Sequence, residues 1–172
     1  MIDNLLYSET QYFRKSQRIF FVLIVFVFGV LLAISLSTKT ESLNAWQTLV
    51  PCIITLVALL LLYWLRLETT INTKAINYRF IPFHLKPKTI AWADVSTVEI
   101  IRYNPIQMYG GWGLRYSFKH GWAYNVSGNY GLKIYFENNK SILIGTSNPE
   151  MLGQAIAQLQ KKSILKIKSS YK

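Results

Sequence analysis

The sequence predicts a two-helix transmembrane hairpin followed by a mainly-β domain, a curled antiparallel sheet of about seven strands closed by a C-terminal helix. Three observations carry this reading. Two long apolar runs without charge stand near the N-terminus. Beyond residue 65 apolar residues alternate with polar ones, broken by glycine and asparagine turns. Near the C-terminus the spacing changes again, to that of one amphipathic helix.

The first run, IFFVLIVFVFGVLLAISL, covers residues 19–36, and no charge occurs from Ile19 to Thr38. Coiled as a helix it would extend about 30 Å, the thickness of a typical hydrocarbon core. The second, LVPCIITLVALLLLYWL, covers residues 49–65, and charge is absent from Ser42 to Leu65. The expected spans are 19–38 and 46–65. Pro51 falls in an early turn of the second, where a missing N–H costs least. Trp46 at one end and Tyr63 and Trp64 at the other suit two membrane interfaces. Gly29 offers a point of close approach between helices. Arg14, Lys15 and Arg18 resemble the basic start of a signal peptide, but the apolar run is long for one and no small-residue cleavage site follows. Cys52, the only cysteine, allows no internal disulfide.

Positive charge flanks the outer ends of the pair: Arg14, Lys15 and Arg18 before it, Arg66, Lys74 and Arg79 after it. The connecting loop holds one Lys and one Glu. The positive-inside rule then places both termini in the cytoplasm, in an integral inner-membrane protein. The expected layout is a cytoplasmic segment at 1–18, the hairpin at 19–65, a cytoplasmic domain at 66–165 and a basic tail at 166–172. The net charge is +11, and beyond residue 65 fifteen Lys and Arg face five Asp and Glu. Such an excess suits a surface beside an anionic leaflet. The basic residues are scattered and no nucleic-acid-reading motif is present, so nucleic acid is not an expected partner.

LETTIN and AINYRFIPF flank a short turn at Thr73 and Lys74, and Pro82 should end the second of these strands. KTIAWADV and STVEIIRYNP follow. The stretch YGGWGLRYSFKHGWAYNVSGNYGLKIYF, residues 109–136, is dense in glycine and aromatic residues. Alternation puts Leu114, Tyr116 and Phe118 on one face, with Arg115 and Ser117 on the other. It puts Leu132, Ile134 and Phe136 on one face, with Lys133 and Tyr135 opposite. HGWAYN is a further short strand, and ENNK turns the chain into SILIGT. The glycines thus punctuate a meander. SNPEMLGQAIAQLQKK is the helix. Its start is either a Ser147–Glu150 capping box or an Asn148 cap followed by Pro149, and its apolar stripe is Leu152, Ala155, Ile156 and Leu159.

This order resembles the pleckstrin-homology-like fold, in particular small bacterial membrane proteins with an N-terminal hairpin and a cytoplasmic PH-like domain. The segment Tyr109, Gly110, Gly111, Trp112, Gly113, Leu114, Arg115, then Gly128, then Ile144, Gly145 and Thr146 before Pro149 and Glu150, carries the resemblance. The phosphoinositide binding found in some members is not implied. The matching loop is Asn72, Thr73 and Lys74, which lacks the required cluster of Lys and Arg.

No catalytic constellation is legible, and the chain is not expected to be an enzyme. His84 and His120 have no Cys or acidic companions at metal-ligand spacing. Asp94 and Glu99 are close in sequence without other signs of an acid–base pair. YGGWG lacks the order of a phosphate loop. No cofactor or metal is expected. The expected function is a membrane-anchored, non-enzymatic module that binds protein or anionic lipid at the cytoplasmic face. The alternatives are an accessory subunit or assembly factor of a larger membrane complex and, less favoured, an enzyme. The expected partners are the bilayer, anionic headgroups, and a membrane protein or a second copy. The contact residues proposed from sequence are Tyr109, Trp112, Arg115 and Lys133.

Overall fold

A computed structural model describes residues 5–13, 15–37, 45–161 and 170–171. The chain divides into two units, one made of Met1–Tyr12 with Arg66–Lys172 and one of Phe13–Leu65.

The smaller unit holds helices α1 (Lys15–Ser37) and α2 (Ala45–Trp64), which pack on each other. Gly29 makes this approach possible, because a Cβ there would lie 2.6 Å from Oγ1 of Thr55. Pro51 falls inside α2. Phe26, Phe28, Ile53 and Ile54 are among the apolar side chains left exposed.

The expectation of a transmembrane hairpin is corrected: among the described residues no helix is long and apolar enough to cross a membrane. The same finding removes the basis for the inner-membrane location, for the topology with both termini in the cytoplasm, and for the membrane-anchored function. It likewise removes the basis for the bilayer, its headgroups or a membrane-embedded partner. The loop expected to face outward, at 38–44, and most of the basic tail at 166–172 lie outside the described residues.

The larger unit contains two sheets. Strands β1 (Leu5–Tyr12), β2 (Arg66–Asn72), β3 (Ala75–Ile81) and β4 (Lys88–Ala91) form an antiparallel sheet in that order. Leu67, Thr69 and Ile71 of β2 alternate inward, as a half-buried strand requires. The β2–β3 turn is set by Asn72, whose Oδ1 accepts hydrogen bonds from the backbone N–H groups of Lys74 and Ala75, at 2.9 and 2.7 Å. β1, which no sequence signal announced, pairs with β2 from Tyr12 opposite Arg66 to Leu5 opposite Asn72.

The second sheet contains β5 (Val95–Arg102), β6 (Gly113–Ser117), β7 (Gly121–Asn125), β8 (Tyr130–Phe136), β9 (Ser141–Thr146) and β10 (Ser170–Tyr171). Its order is β10-β5-β8-β9-β7-β6, with β7 parallel to β9 and β10 parallel to β5. The expected single curled antiparallel meander of about seven strands is therefore corrected to two sheets, the second of them mixed. The physical reason is the β8–β9 hairpin, which lies between β5 and the β6–β7 hairpin. Asn139 makes its tight turn possible by adopting φ 60°.

Tyr78 of β3 and Tyr124 of β7 meet across the two sheets with ring centres 4.8 Å apart. Around them Leu67, Ile71, Phe80, Leu132, Ile134 and Ile144 are fully buried, with Leu152, Ile156 and Leu159 of helix α4 (Pro149–Lys161). Asn148 caps α4, its Oδ1 accepting from the N–H of Met151 at 3.2 Å, with Pro149 at the first helical position. Ser147 instead donates its backbone N–H to Glu9 of β1 at 2.8 Å. A short helix, α3 (Pro105–Tyr109), covers the other face of the second sheet, where Tyr103, Tyr109, Ala123 and Leu143 form a second core. Asn104 caps it, and Gly110 ends it in the left-handed region at φ 73°.

Candidate functional site

Two parallel rows of side chains cross the second sheet on its inner face. Ile100, Leu132, Ile144 and Tyr124 form one row of cross-strand partners, each buried. Val98, Ile134, Ile142, Trp122 and Tyr116 form the next. In this second row burial fails toward the edge strand β6. Val98 and Ile134 are 1% and 0% exposed, but Trp122 is 44% and Tyr116 52% exposed.

Phe118, in the β6–β7 turn, is 99% exposed. Its ring packs edge-on against Tyr116 with centres 5.5 Å apart, and Tyr116 lies 5.1 Å from Trp122. Three large rings thus form an exposed cluster at the edge of the sheet. A pocket of about 540 Å³ opens beside them, between the β6–β7 and β8–β9 turns. Lys119, Lys140, Asn138, Asn139 and Ser141 supply its polar wall, and among the described residues no carboxylate lines it. A groove of similar size on the first sheet has mixed charge, with Glu68 beside Arg79 and Lys86.

The wall is held from behind by Lys133. This side chain is only 4% exposed. Its ammonium donates to the Tyr109 hydroxyl at 3.1 Å and to the carbonyl of His120 in the β6–β7 turn. It also lies 5.9 Å from the ring centre of Tyr135, within range of cation–π attraction. Ser141 Oγ donates to the same carbonyl at 3.2 Å. Burial lowers the Lys133 ammonium to about 8 and raises the Tyr109 hydroxyl to about 12. Burial, then the charges of Lys133 and Lys119, lower His120.

The residues proposed from sequence are thus divided by the structure. Tyr109 and Lys133 meet, but in the second core. Trp112 is half-buried, its Nε1–H donating to the carbonyl of Gly128 at 2.9 Å. Arg115 is exposed on the face of β6 opposite Tyr116, its Nε–H donating to the carbonyl of Trp112 at 3.2 Å. Sequence reasoning missed Tyr116, Phe118 and Trp122 as surface residues. Alternation placed the first two on the core side, and the side is right for Tyr116. The sheet simply runs on past its cover. The available signal was FKHG, a lysine, a histidine and a glycine directly after Phe118, which marks a turn tip where an aromatic ring has nothing to pack under.

Of the other groups considered from sequence, His84 Nδ1 accepts the Phe80 N–H at 3.3 Å and Glu99 accepts from the Tyr135 hydroxyl at 3.4 Å. Among the described residues, no group of three His, Cys, Asp or Glu is placed to hold a metal ion.

No family of known proteins, no curated protein and no solved structure matches the chain. The resemblance to the pleckstrin-homology-like proteins is corrected accordingly: it finds no support in relatives, and the mixed sheet with its parallel β7–β9 pair departs from the order on which it rested.

Proposed function

We propose that this chain is a non-enzymatic recognition module that binds an acidic segment of a partner polypeptide bearing aromatic or aliphatic anchors. The observation that carries this reading is the exposed cluster of Tyr116, Phe118 and Trp122 beside a pocket whose charged lining, among the described residues, is Lys119 and Lys140. Exposed rings on a rigid support lose little entropy on binding and supply much of the contact energy at interfaces. The two ammonium groups select for carboxylates and speed encounter. The site presents ring faces and cations, the chemistry of holding rather than of bond-making.

The test is a calorimetric titration of the full chain with a short synthetic peptide, acidic at odd positions and carrying Phe, Tyr and Val at even ones. Phe118→Ala should weaken binding about tenfold, the scale of an aromatic anchor, without changing the far-UV circular dichroism. Lys119→Glu together with Lys140→Glu should weaken it further and flatten its salt dependence. Equal affinity in wild type and Phe118→Ala would remove the cluster from the interface.

A further inference from the structure

We infer that the partner segment binds as an added β-strand along the free edge of β6. This rests on the recognition reading above and specifies its geometry. Among the described residues β6 is the terminal strand of the second sheet, paired with β7 and with no strand on its other side. A terminal strand turns alternate backbone N–H and C=O groups outward, where an extended chain can pair with them.

The side chains around that edge describe the strand that would fit. The row Val98, Ile134, Ile142, Trp122, Tyr116 passes from full burial to half exposure at β6. One more strand would continue the row, and its residue opposite Tyr116 would cover Tyr116 and the ring of Phe118. That residue should be aromatic or aliphatic. Arg115, next to Tyr116, points to the opposite face and is exposed. Successive residues of the added strand must therefore alternate, apolar toward Tyr116 and acidic toward Arg115. β6 has five residues, Gly113–Ser117, so the matching segment is equally short. Lys119 and Lys140, beyond its end, would meet carboxylates flanking it.

The experiment uses the full chain, the peptide described above, and two versions of it that are N-methylated on the backbone. One is methylated at odd positions and the other at even positions, with all side chains kept. In an added strand only one set of amides faces β6. One version should therefore lose binding by about tenfold or more, the equivalent of one to two lost hydrogen bonds, while the other stays within about threefold of the parent. Equal affinities for all three peptides, or equal loss in both methylated ones, would overturn strand addition and leave the recognition surface standing, provided Phe118→Ala still weakens the parent. Failure of the parent peptide to bind at millimolar concentration would overturn both. Amide protection of residues 113–117 that rises with protein concentration in the absence of peptide would show the edge occupied by a second copy, and would overturn the proposal of a distinct partner.

Discussion

The ammonium of Lys133 donates a hydrogen bond to the hydroxyl of Tyr109 at 3.1 Å, and both side chains are buried between the second sheet and α3. The lysine also bonds the His120 carbonyl. Its charge is thus met by a hydroxyl, a carbonyl and the ring of Tyr135, 5.9 Å away.

This arrangement gives stability a pH dependence of known sign. The native Lys133 titrates near 8 against 10.5 for a free lysine. Between these values the unfolded chain holds the extra proton, so stability should rise with pH from about 8 to 10. The slope is at most about 1.4 kcal/mol per pH unit for one proton. Above pH 10 the trend should reverse. Tyr103 and Tyr109 are raised from 10 to about 12, so the unfolded chain loses those protons first. Urea denaturation at successive pH values measures both limbs. Lys133→Met should abolish the rise while leaving the fall, and at pH 7 should be neutral or stabilising.

Gly121→Ala should be among the most damaging single-methyl changes in the protein. Gly121 sits at φ 73°, and a Cβ there would collide with the backbone carbonyl oxygen of Ser141. Strain and collision together should cost about 2–4 kcal/mol. Gly111→Val is the comparison. Its φ of 125° is unfavourable for a side chain, but the space is open, and a loss of about 1–2 kcal/mol is expected. Thermal unfolding of the two variants ranks them, and a larger loss for Gly111→Val would contradict the packing described at Gly121.

Glu9→Ala should destabilise the larger unit by about 2–4 kcal/mol. The Glu9 carboxylate accepts from the Tyr7 hydroxyl at 2.5 Å, Gln11 Nε2 at 3.1 Å, Thr146 Oγ1 at 2.9 Å and the Ser147 N–H at 2.8 Å. Its removal strands several donors at once. Hydrogen exchange should show the first turn of α4 opening together with β1. Protection lost in α4 alone would mean that β1 is held by other contacts.

Arg115→Ala should change the melting temperature little, the shift corresponding to less than about 0.5 kcal/mol, because the side chain is exposed and its one bond is to a surface carbonyl. Combined with Lys133→Ala the melting curve should move clearly, since the second change empties a buried volume and leaves Tyr109 without its donor.

The strands β2 through β9 were legible wherever alternation and turn residues agreed, as at Asn72 and across Leu132, Ile134 and Phe136. The start of α4 was legible as one of two options, and Asn148 prevailed because Ser147 is engaged by Glu9. What escaped was long-range. LLYSETQY carries the alternation of a strand only weakly, and nothing local says that its partner is residue 66 onward. Lys133 read as a surface residue because alternation fixes which face it takes, not whether that face is covered. Its cover is α3, whose Asn104–Pro105 start was passed over. The converse error was made at Tyr116, on a face assumed to be covered. The hairpin rested on two uncharged apolar runs with their flanking charge and end aromatics, but among the described residues no helix is long and apolar enough to cross a membrane.

Tyr12 and Arg66 are neighbours across the β1–β2 ladder, so the helical unit leaves and re-enters the strand-rich unit through adjacent doors. In chain order β1 is made first, yet it finds its partner only after the whole helical stretch has been synthesised. That delay concerns kinetics more than final stability, because closing a loop costs only about 0.6 kcal/mol more for each doubling of its length. A short turn joining Tyr12 to Arg66 would convert the pair into an ordinary hairpin and splice the helices out. Beginning the chain at Arg66 would be a different operation. It would bare one flank of β2 and leave Thr146 and Ser147 without the carboxylate that receives them.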